Sequence, residues 1–401
     1  MPAHEIAIPY GAYWSTPFSR WQGSLAHLNS IEFAAHVAKG AMARRKIAPE
    51  QIDYAVLGTT VPQRHSFYGA PWLMGMIGAA HVSGPTINQA CATSARCLAA
   101  AAGEIEAGAA TAALVVTADR CSNGPMIYYP NPLGPGGAGA NENWVLDNFS
   151  NDPFARVAMV DTAENCARKW QVGTEEQHDV VLRRQAQYDE ALADDAAFQR
   201  RYMELPFPVP DARYAKTVAT MPGDEGVIRS TPDGLARLRP VRPDGSVTFG
   251  GQTHPADGNC GMIVTTPERA RELQSQDIPV RVLGFGQART EKAHMPAATV
   301  PAARRALAAA GLDISRIDAV KSHNPFAVND IVFARETGFP LERMNNFGCS
   351  LIWGHPQGPT GLRSIVELIE ELAQRGGGYG LFQGCAAGDT AMAVAIRVGK
   401  A

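Results

Sequence analysis

The sequence predicts an α/β fold made of two related halves, with a long insertion between strands of the first half. Short apolar runs typical of strands alternate with Ala-rich or amphipathic runs typical of helices, which is the order of βαβ units. One such pattern occurs twice, about 265 residues apart. The chain has 401 residues, which exceeds the ~250–300 at which a single core stops growing, so two core units are expected.

The internal repeat is visible in two pairs of segments. Residues 44–58 read RRKIAPEQIDYAVLG and residues 304–321 read RRALAAAGLDISRIDAVK; each is a helix end, a polar link and a short apolar strand. TSAR at residues 93–96 and TGLR at residues 360–363 then each open a helical stretch. Both pairs occur in the same order at about the same offset, as a duplicated domain requires.

Helices and strands alternate within each half. Ala92–Gly108 is Ala-rich and helical and ends at Gly, and Ala112–Ala118 is typical of a buried strand. In the second half, Ser364–Ala373 places apolar residues at helical spacing, Gly376–Gly378 ends that helix, and Tyr379–Gln383 is typical of a strand. These units predict buried, mostly parallel sheets.

A region of different composition interrupts the first half. It is rich in Gly, Pro and Asn at its start, and an excursion this long in an α/β protein is usually a lid or a binding loop. The predicted domains are an N-terminal half over residues 1–120, an inserted loop domain over residues 121–245, a return to the first half over residues 246–275, and a C-terminal half over residues 276–401.

Charge and composition exclude several classes of function. Lys and Arg number 36 against 39 Asp and Glu, a net charge of −3, which is unlike a general nucleic-acid binder. No apolar run approaches the ~18 residues of a membrane span, and Met1–Tyr10 lacks a signal-peptide pattern. The seven cysteines form no CxxC pair, so no metal site is predicted. We expect a cytoplasmic protein with free thiols and with neither nucleic acid nor membrane as a partner.

Cys91 is a candidate nucleophile because it lies where a helix begins. Backbone N–H groups and the helix dipole at such a position favour a thiolate, so a lowered thiol pKa is expected. Its small neighbours leave access for a substrate. On local sequence alone, a buried core cysteine is an equally good interpretation.

Three other segments place reactive side chains at strand ends or helix starts. His355 lies in a Gly- and Pro-rich turn before a helix, and His323 ends the repeated strand of the second half. Cys385 lies in the small-residue turn Gly384–Asp389, whose backbone N–H groups can face an oxyanion. Ligand sites in α/β sheets lie at such strand ends, although each residue alone is also compatible with a structural role.

Five segments, in order, resemble those of the thiolases, the CoA-dependent enzymes that cleave or form 3-oxoacyl-CoA. They are Asn88–Ala99 (nucleophilic cysteine), Met159–Asn165 (similar to Met-Gly-x-Thr-Ala-Glu-Asn), Asp244–Asp257 (similar to Gly-Thr-Val-Thr-Ala-Gly-Asn), Gly354–Gly361 (similar to Gly-His-Pro-x-Gly) and Cys385–Gly388 (at the Cys-x-Gly motif). The resemblance covers nearly the whole chain. It implies a thiolase-like fold in which duplicated βαβαβαββ halves form a layered α-β-α-β-α sandwich beside a loop domain.

The resemblance also implies a role for each catalytic residue. Cys91 would become acylated, and His355 would take its proton. Cys385 would move the proton at the α-carbon of acetyl-CoA. The backbone N–H groups of Cys91 and Ala387 would stabilise one oxyanion, and His355 with His323 would stabilise the enolate oxygen. Claisen chemistry on a thioester develops charge on two carbonyl oxygens in turn, which is why two oxyanion sites are needed.

Substrate contacts are implied for Ala387 and for four further residues, which are Met159, Thr253, Asn324 and Phe326. The resemblance implies CoA and acyl-CoA as substrates, with no bound cofactor and no metal. A homodimer or homotetramer is the implied assembly.

Several positions depart from the family pattern. His323-Asn324-Pro325-Phe326 stands where most thiolases have Asn-Glu-Ala-Phe and the sterol-carrier type has His-Asp-Cys-Phe. Ala387 replaces a Gly, Thr253 replaces a Ser, and Trp353 precedes the Gly-His-Pro motif. These changes predict a pocket for a branched, substituted or aromatic acyl group. Cleavage in the degradative direction is the expected use, and the same residues catalyse the reverse condensation.

Two alternatives remain open. A ketoacyl-synthase-type condensing enzyme would use a similar Cys-His set, although Cys385 favours a thiolase. The second alternative is a thiolase subunit that is active only with a small zinc-bearing OB-fold partner. The aromatic residues Tyr128, Tyr129 and Trp144 are compatible either with a substrate tunnel or with ordinary loop packing.

Overall fold

Fifteen strands occur in residues 5–400, the part of the chain that the computed structural model describes. They are β1 Ile6–Ala7, β2 Tyr13–Ser15, β3 Ser19–Arg20, β4 Tyr54–Gly58, β5 Thr86–Ile87, β6 Ala112–Arg120, β7 Met126–Tyr129, β8 Ala140–Asn143, β9 Phe207–Pro210, β10 Thr217–Met221, β11 Ala256–Thr265, β12 Val280–Arg289, β13 Ala319–His323, β14 Gly378–Ala386 and β15 Thr390–Val398.

Eleven of these strands form one mixed sheet in the order β13-β14-β15-β12-β1-β11-β6-β4-β5, with β2 and β3 also paired to β11. The short strand β1 joins the two halves, because Ala7 pairs with Thr265 of β11 on one side and with Arg281 of β12 on the other. The remaining strands form two hairpins, β7 with β8 and β9 with β10.

Parallel pairing is confined to the outer part of each half. Strand β4 is parallel to β5 and β6, and β13 is parallel to β14. The long pairings β6/β11, β14/β15 and β12/β15 are antiparallel. The prediction of mostly parallel sheets is therefore wrong. Each half ends on a strand that returns without a crossover helix, and such a return makes an antiparallel pair.

Thirteen α-helices connect or cover the strands of the described chain. They are α1 Ser30–Arg44, α2 Gly69–Ile77, α3 Thr93–Glu106, α4 Leu146–Ser150, α5 Met159–Lys169, α6 Thr174–Ala191, α7 Ala193–Ala196, α8 Pro232–Ala236, α9 Pro267–Leu273, α10 Thr299–Ala309, α11 Ala327–Thr337, α12 Ser350–Trp353 and α13 Gly358–Gln374.

Helices α3 and α13 form the middle layer, between the two halves of the sheet. Every residue of α13 from Gly358 to Leu372 is buried, and the Ser94 hydroxyl of α3 donates a hydrogen bond to the Gly358 carbonyl. Helices α1 and α2 cover the outer face of the first half, and α10 covers that of the second. The predicted α-β-α-β-α sandwich is confirmed, and the helix-strand order α1-β4-α3-β6 recurs as α10-β13-α13-β14 about 265 residues later.

The inserted region between β6 and β11 contains the two hairpins and helices α4 to α8. Two fully buried ion pairs attach it to the second half. Arg184 Nε lies 2.9 Å from Asp330 Oδ2, and Asp224 receives two hydrogen bonds of 2.6 and 2.8 Å from Arg363. The predicted domain bounds stay a prediction, and their outermost residues, 1–4 and 401, lie outside the described residues. No helix within residues 5–400 is long and apolar enough to cross a membrane.

Candidate active site

A cavity of about 920 Å³ lies where the two halves and the inserted region meet. Six of the predicted site residues line it, namely Cys91, Met159, Thr253, Phe326, His355 and Ala387. The inserted region contributes an apolar wall that includes Trp144, Phe149 and Phe154. Predicted site residues from both halves and from the inserted region therefore lie around one cavity.

A tight turn presents Cys91 to this cavity. Ala90 has a positive φ of 44°, a backbone conformation that L-residues rarely adopt. The Thr93 side chain stabilises the turn: its hydroxyl donates to the Ala90 carbonyl at 2.7 Å and accepts from the Gln89 N–H at 2.8 Å. Helix α3 starts at Thr93, so Cys91 stands two residues before it.

His355 is the nearest titratable partner of Cys91. Its Nε2 lies 3.2 Å from Cys91 Sγ, and its Nδ1 lies 2.6 Å from the Thr360 hydroxyl at the start of α13. The His355 N–H donates to the His254 carbonyl at 2.8 Å, which ties this turn to the segment leading into β11. The geometry is that of a thiol paired with a base whose other nitrogen is held by a third group.

Burial determines the protonation state of this pair. It raises the pKa of the Cys91 thiol to about 12, although the backbone N–H groups of Ala387 and Cys91 act in the opposite direction. Burial, together with the neighbouring His323 and His254, lowers the pKa of His355 well below its ordinary value. The expected lowering of the cysteine pKa is therefore wrong, because loss of hydration outweighs the helix start. The resting pair is a neutral thiol beside a neutral imidazole.

Two backbone N–H donors face the Cys91 sulfur. The backbone N–H groups of Cys91 and Ala387 both lie against the thiol, which is where charge would develop on a thioester or ketone carbonyl. The turn that holds Ala387 is anchored by Asp389, whose carboxylate accepts from the N–H groups of Ala293 and His294 at 2.8 and 2.9 Å.

His323 lies directly behind His355, with its ring stacked on that of His355 at 4.0 Å between centroids. It ends strand β13 and is completely buried. Its Nδ1 lies 3.0 Å from the Ser350 hydroxyl, whereas its Nε2 has no hydrogen-bond partner among the described residues. Burial lowers the pKa of His323 to about 3, so this ring is also neutral.

Cys385 is the last residue but one of strand β14, is completely buried and is not among the residues that line the cavity. Its sulfur accepts a hydrogen bond of 3.2 Å from the Asn329 side chain of α11. Burial, and then the nearby Cys91, raise the pKa of the Cys385 thiol well above its ordinary value. A thiol in this setting is a weak acid whose conjugate base is strong, which suits proton transfer at carbon.

Asn324 does not line the cavity, unlike the other predicted substrate contacts. Its side-chain amide donates to Asp330 at 2.8 Å and to the Cys349 sulfur at 3.2 Å, and its carbonyl oxygen lies 3.1 Å from the Ser350 hydroxyl. The backbone turns here so that Pro325 and Phe326 face the cavity and Asn324 faces the protein interior. The prediction of a direct substrate contact is therefore not supported by its placement.

Five contributors to the site were not predicted from the sequence: Asn329, Ser350, Thr360 and the wall residues Phe149 and Phe154. Each acts through a fold-dependent contact, although Thr360 follows the His355 motif closely enough to have been considered. Trp144, left open by the sequence, lines the cavity, and its indole N–H donates to the Thr60 carbonyl at 2.8 Å. Tyr128 and Tyr129 instead lie on the exposed β7/β8 hairpin.

One group of side chains has the composition of a metal site. Cys91, His323 and His355 each offer a donor atom, and these atoms lie within 4.8 Å of one another. The same closeness is what proton transfer between a thiol and an imidazole requires. The spacing of Cys91, His323 and His355 is therefore compatible with proton transfer between these side chains.

Known proteins resemble the chain over its full length. Residues 12–268 match the thiolase N-terminal domain and residues 277–398 match the thiolase C-terminal domain. The acetyl-CoA acetyltransferase of Chromobacterium violaceum is 29% identical over 399 residues, which cover 98% of this chain and 99% of that protein.

Two solved structures are similar to this chain over nearly its full length. The acetyl-CoA acetyltransferase of Bacillus anthracis has a TM-score of 0.90 at 25% identity, with 99% of each chain covered. Human mitochondrial 3-ketoacyl-CoA thiolase in complex with CoA has a TM-score of 0.87 at 26% identity, covering 99% of this chain and 98% of that one.

Fold, site and relatives together define an acyltransferase that acts on CoA thioesters. The chain belongs to the thiolase family, and its chemistry is the Claisen condensation or thiolytic cleavage of acyl-CoA substrates.

Proposed function

We propose that this enzyme cleaves a 3-oxoacyl-CoA by thiolysis, through an acyl group carried on Cys91. The observation that carries the proposal is the 3.2 Å contact between Cys91 Sγ and His355 Nε2 at the wall of a cavity of about 920 Å³. CoA is a substrate rather than a resident cofactor in this scheme.

The first half-reaction forms the acyl-enzyme. His355 Nε2 takes the Cys91 proton as the sulfur attacks the 3-oxo carbon, and the resulting alkoxide lies between the N–H groups of Cys91 and Ala387. The bond between the α- and β-carbons then breaks. The electron pair forms the enolate of acetyl-CoA, whose oxygen faces His323 and His355, and the Cys385 thiol protonates its α-carbon.

The second half-reaction restores the enzyme. Incoming CoA gives its thiol proton to the Cys385 thiolate, and the CoA sulfur attacks the acyl-cysteine. The Cys91 sulfur leaves and recovers its proton from the His355 imidazolium. Because Cys91 and Cys385 have raised pKa values, each is a strong base when it must accept a proton.

We further propose that the acyl group is bulky, either branched, substituted or aromatic. The support is the wall made by Trp144, Phe149 and Phe154 beside Phe326. Trp144 is fixed by its hydrogen bond to Thr60, so this wall is preorganised for an apolar ligand rather than for acetyl alone.

Purified enzyme would be incubated with straight, branched and aryl 3-oxoacyl-CoAs, with wild type and Cys91→Ser compared by intact mass. We expect an acyl adduct on wild type that is absent from Cys91→Ser and retained by Cys97→Ala, the removal of another buried thiol. Activity confined to acetoacetyl-CoA would contradict the bulky acyl group. Decarboxylation of malonyl-CoA would favour a condensing enzyme instead.

The implied homodimer or homotetramer also stays a proposal. Phe67 and Tyr68 are exposed, at 95% and 67%, next to α2, and this apolar surface is compatible with contact between copies. Light scattering on the purified protein would measure the assembly. Turnover by the isolated chain would exclude a requirement for a small zinc-bearing OB-fold partner.

A further inference from the structure

The Ser350 hydroxyl lies where its hydrogen-bond direction determines which of two tautomers His323 adopts. Ser350 opens α12, is completely buried and does not line the cavity. Its Oγ lies 3.0 Å from His323 Nδ1 and 3.1 Å from the side-chain oxygen Oδ1 of Asn324. It also accepts a hydrogen bond of 3.1 Å from the backbone N–H of Asn324. A serine has one hydroxyl proton, so it can donate to only one of the first two atoms.

The two choices leave His323 with opposite properties at Nε2, the ring nitrogen that has no hydrogen-bond partner among the described residues. If the hydroxyl donates to Asn324, it accepts from His323 Nδ1–H, and Nε2 is left as a bare acceptor. If the hydroxyl donates to Nδ1, the ring proton sits on Nε2, which can then donate to an enolate oxygen. A neutral imidazole has no third arrangement.

We propose that Ser350 is a positioning residue that donates to His323 Nδ1 and thereby holds the tautomer whose Nε2–H stabilises the enolate oxygen. This inference rests on the proposed function, because it assigns a role in the carbon–carbon bond step of that reaction.

The surrounding hydrogen bonds favour this direction. The side-chain oxygen Oδ1 of Asn324 also accepts a hydrogen bond of 3.2 Å from the Leu351 N–H, so it keeps a donor when the Ser350 hydroxyl donates to His323 instead. The Asn324 amide is held by Asp330, which prevents the side chain from flipping to follow the serine. Within residues 5–400, His323 Nδ1 has Ser350 as its one hydrogen-bond partner.

The neighbouring His355 needs the opposite tautomer. Its Nε2 must be free to accept the Cys91 proton, so its Nδ1 carries the hydrogen and donates to Thr360 at 2.6 Å. Both rings are neutral, and they stack at 4.0 Å, so charge does not distinguish them. Each ring therefore has its own hydroxyl group to fix its tautomer: Ser350 for His323 and Thr360 for His355.

The proposal predicts a selective kinetic effect. Ser350→Ala should slow cleavage of the carbon–carbon bond by about 10–100-fold, since losing one oxyanion donor costs roughly 10²–10³-fold and the tautomer would be lost only in part. Transfer of an acyl group from acyl-CoA to Cys91 uses the other oxyanion site, so its rate should change by less than about threefold.

The experiment measures both half-reactions for wild type, Ser350→Ala, His323→Asn and the double variant. Thiolysis of a 3-oxoacyl-CoA reports the first rate, and intact-mass detection of acyl-Cys91 formed from acyl-CoA reports the second. Because Ser350 acts through His323, adding Ser350→Ala to His323→Asn should cause no further loss of thiolysis. Ser350→Cys, with its weaker S–H donor, should fall between wild type and Ser350→Ala, and it carries the test if the Ala variant does not fold.

The outcomes separate the two proposals. Equal slowing of both half-reactions, or additive losses in the double variant, would overturn the role of Ser350 and leave the proposed function standing. Absence of both half-reactions in folded wild type would overturn the proposed function and this inference with it.

Discussion

His323 and His355 stack face to face, with ring centroids 4.0 Å apart and planes tilted by 24°. Both histidines come from the second half of the chain, whereas the Cys91 sulfur that His355 contacts comes from the first. The duplicated fold thus assembles one site from two halves. Burial keeps both rings neutral. The position of the proton on each ring, rather than a resting ion pair, therefore determines which nitrogen can donate and which can accept.

Removing the Cys385 thiol should separate proton transfer at carbon from acyl transfer. In D₂O, Cys385→Ala should lower deuterium incorporation at the α-carbon of acetyl-CoA by at least about 100-fold, because a positioned acid/base contributes roughly 10²–10⁴-fold. Acylation of Cys91 from acyl-CoA should slow much less, because a departing CoA thiolate is a far weaker base than a carbanion and depends less on the Cys385 proton. Mass spectrometry of recovered acetyl-CoA measures the exchange, with Cys97→Ala as the matched control. Undiminished exchange in Cys385→Ala would assign this proton to another group.

The raised pKa of Cys91 predicts how its alkylation depends on pH. Only the thiolate reacts, and with a pKa of about 12 its fraction rises about tenfold per pH unit through the neutral and mildly alkaline range. Iodoacetamide labelling of Cys91, followed by peptide mass spectrometry between pH 6 and 10, should therefore increase without a plateau. A rate that levels off near pH 8, or that stays high at pH 6, would indicate a thiolate–imidazolium pair instead.

The sequence predicted those features that depend on local pattern. The two halves, and the strand ends and helix starts that carry Cys91, His323, His355 and Cys385, follow from periodicity, from the internal repeat and from short motifs. The layered sandwich follows from the resemblance to the thiolases. Segments that end parallel strands at the same sheet edge meet in space, which is why the candidates converged.

Features that depend on tertiary surroundings could not be predicted in this way. The Cys91 pKa is set by how much of its hydration the fold removes, and a helix start seen in sequence cannot report that. Asn324 faces inward because its side-chain NH₂ donates to Asp330 and its side-chain oxygen lies 3.1 Å from the Ser350 hydroxyl. The antiparallel return of β15 requires knowing that the turn after Cys385 is too short for a helix.

The buried pair Asp224–Arg363 should stabilise the attachment of the inserted region. Asp224→Asn leaves the Arg363 guanidinium with Glu367 alone, at 3.0 Å, and we expect a loss of about 3 kcal/mol in the free energy of unfolding. Urea denaturation measures the loss. Asp189→Asn breaks the exposed pair with Arg229 and should cost less than about 1 kcal/mol. Similar losses in the two variants would show that burial of the first pair is not what matters.

Trp144 should determine which acyl groups the enzyme prefers. Its indole lines the cavity and is fixed to the Thr60 carbonyl at 2.8 Å, so Trp144→Ala removes a preorganised apolar wall. Contacts of this kind are worth about 1.5–3 kcal/mol, which corresponds to a loss of roughly 10–150-fold in kcat/KM for the preferred bulky substrate. For acetoacetyl-CoA, whose short acyl group has little apolar surface to bury, we expect a change of less than about threefold.

The control for this prediction is Tyr128→Ala, which removes an aromatic ring from the exposed β7/β8 hairpin of the same inserted region. It should leave the order of preference across the acyl-CoA panel unchanged. If Trp144→Ala lowers kcat/KM equally for every substrate, the indole stabilises the loop that contains Thr60 and does not determine acyl-group specificity. Loss confined to bulky substrates, absent from Tyr128→Ala, places the specificity in the cavity wall, because only a group in contact with the acyl chain distinguishes one chain from another.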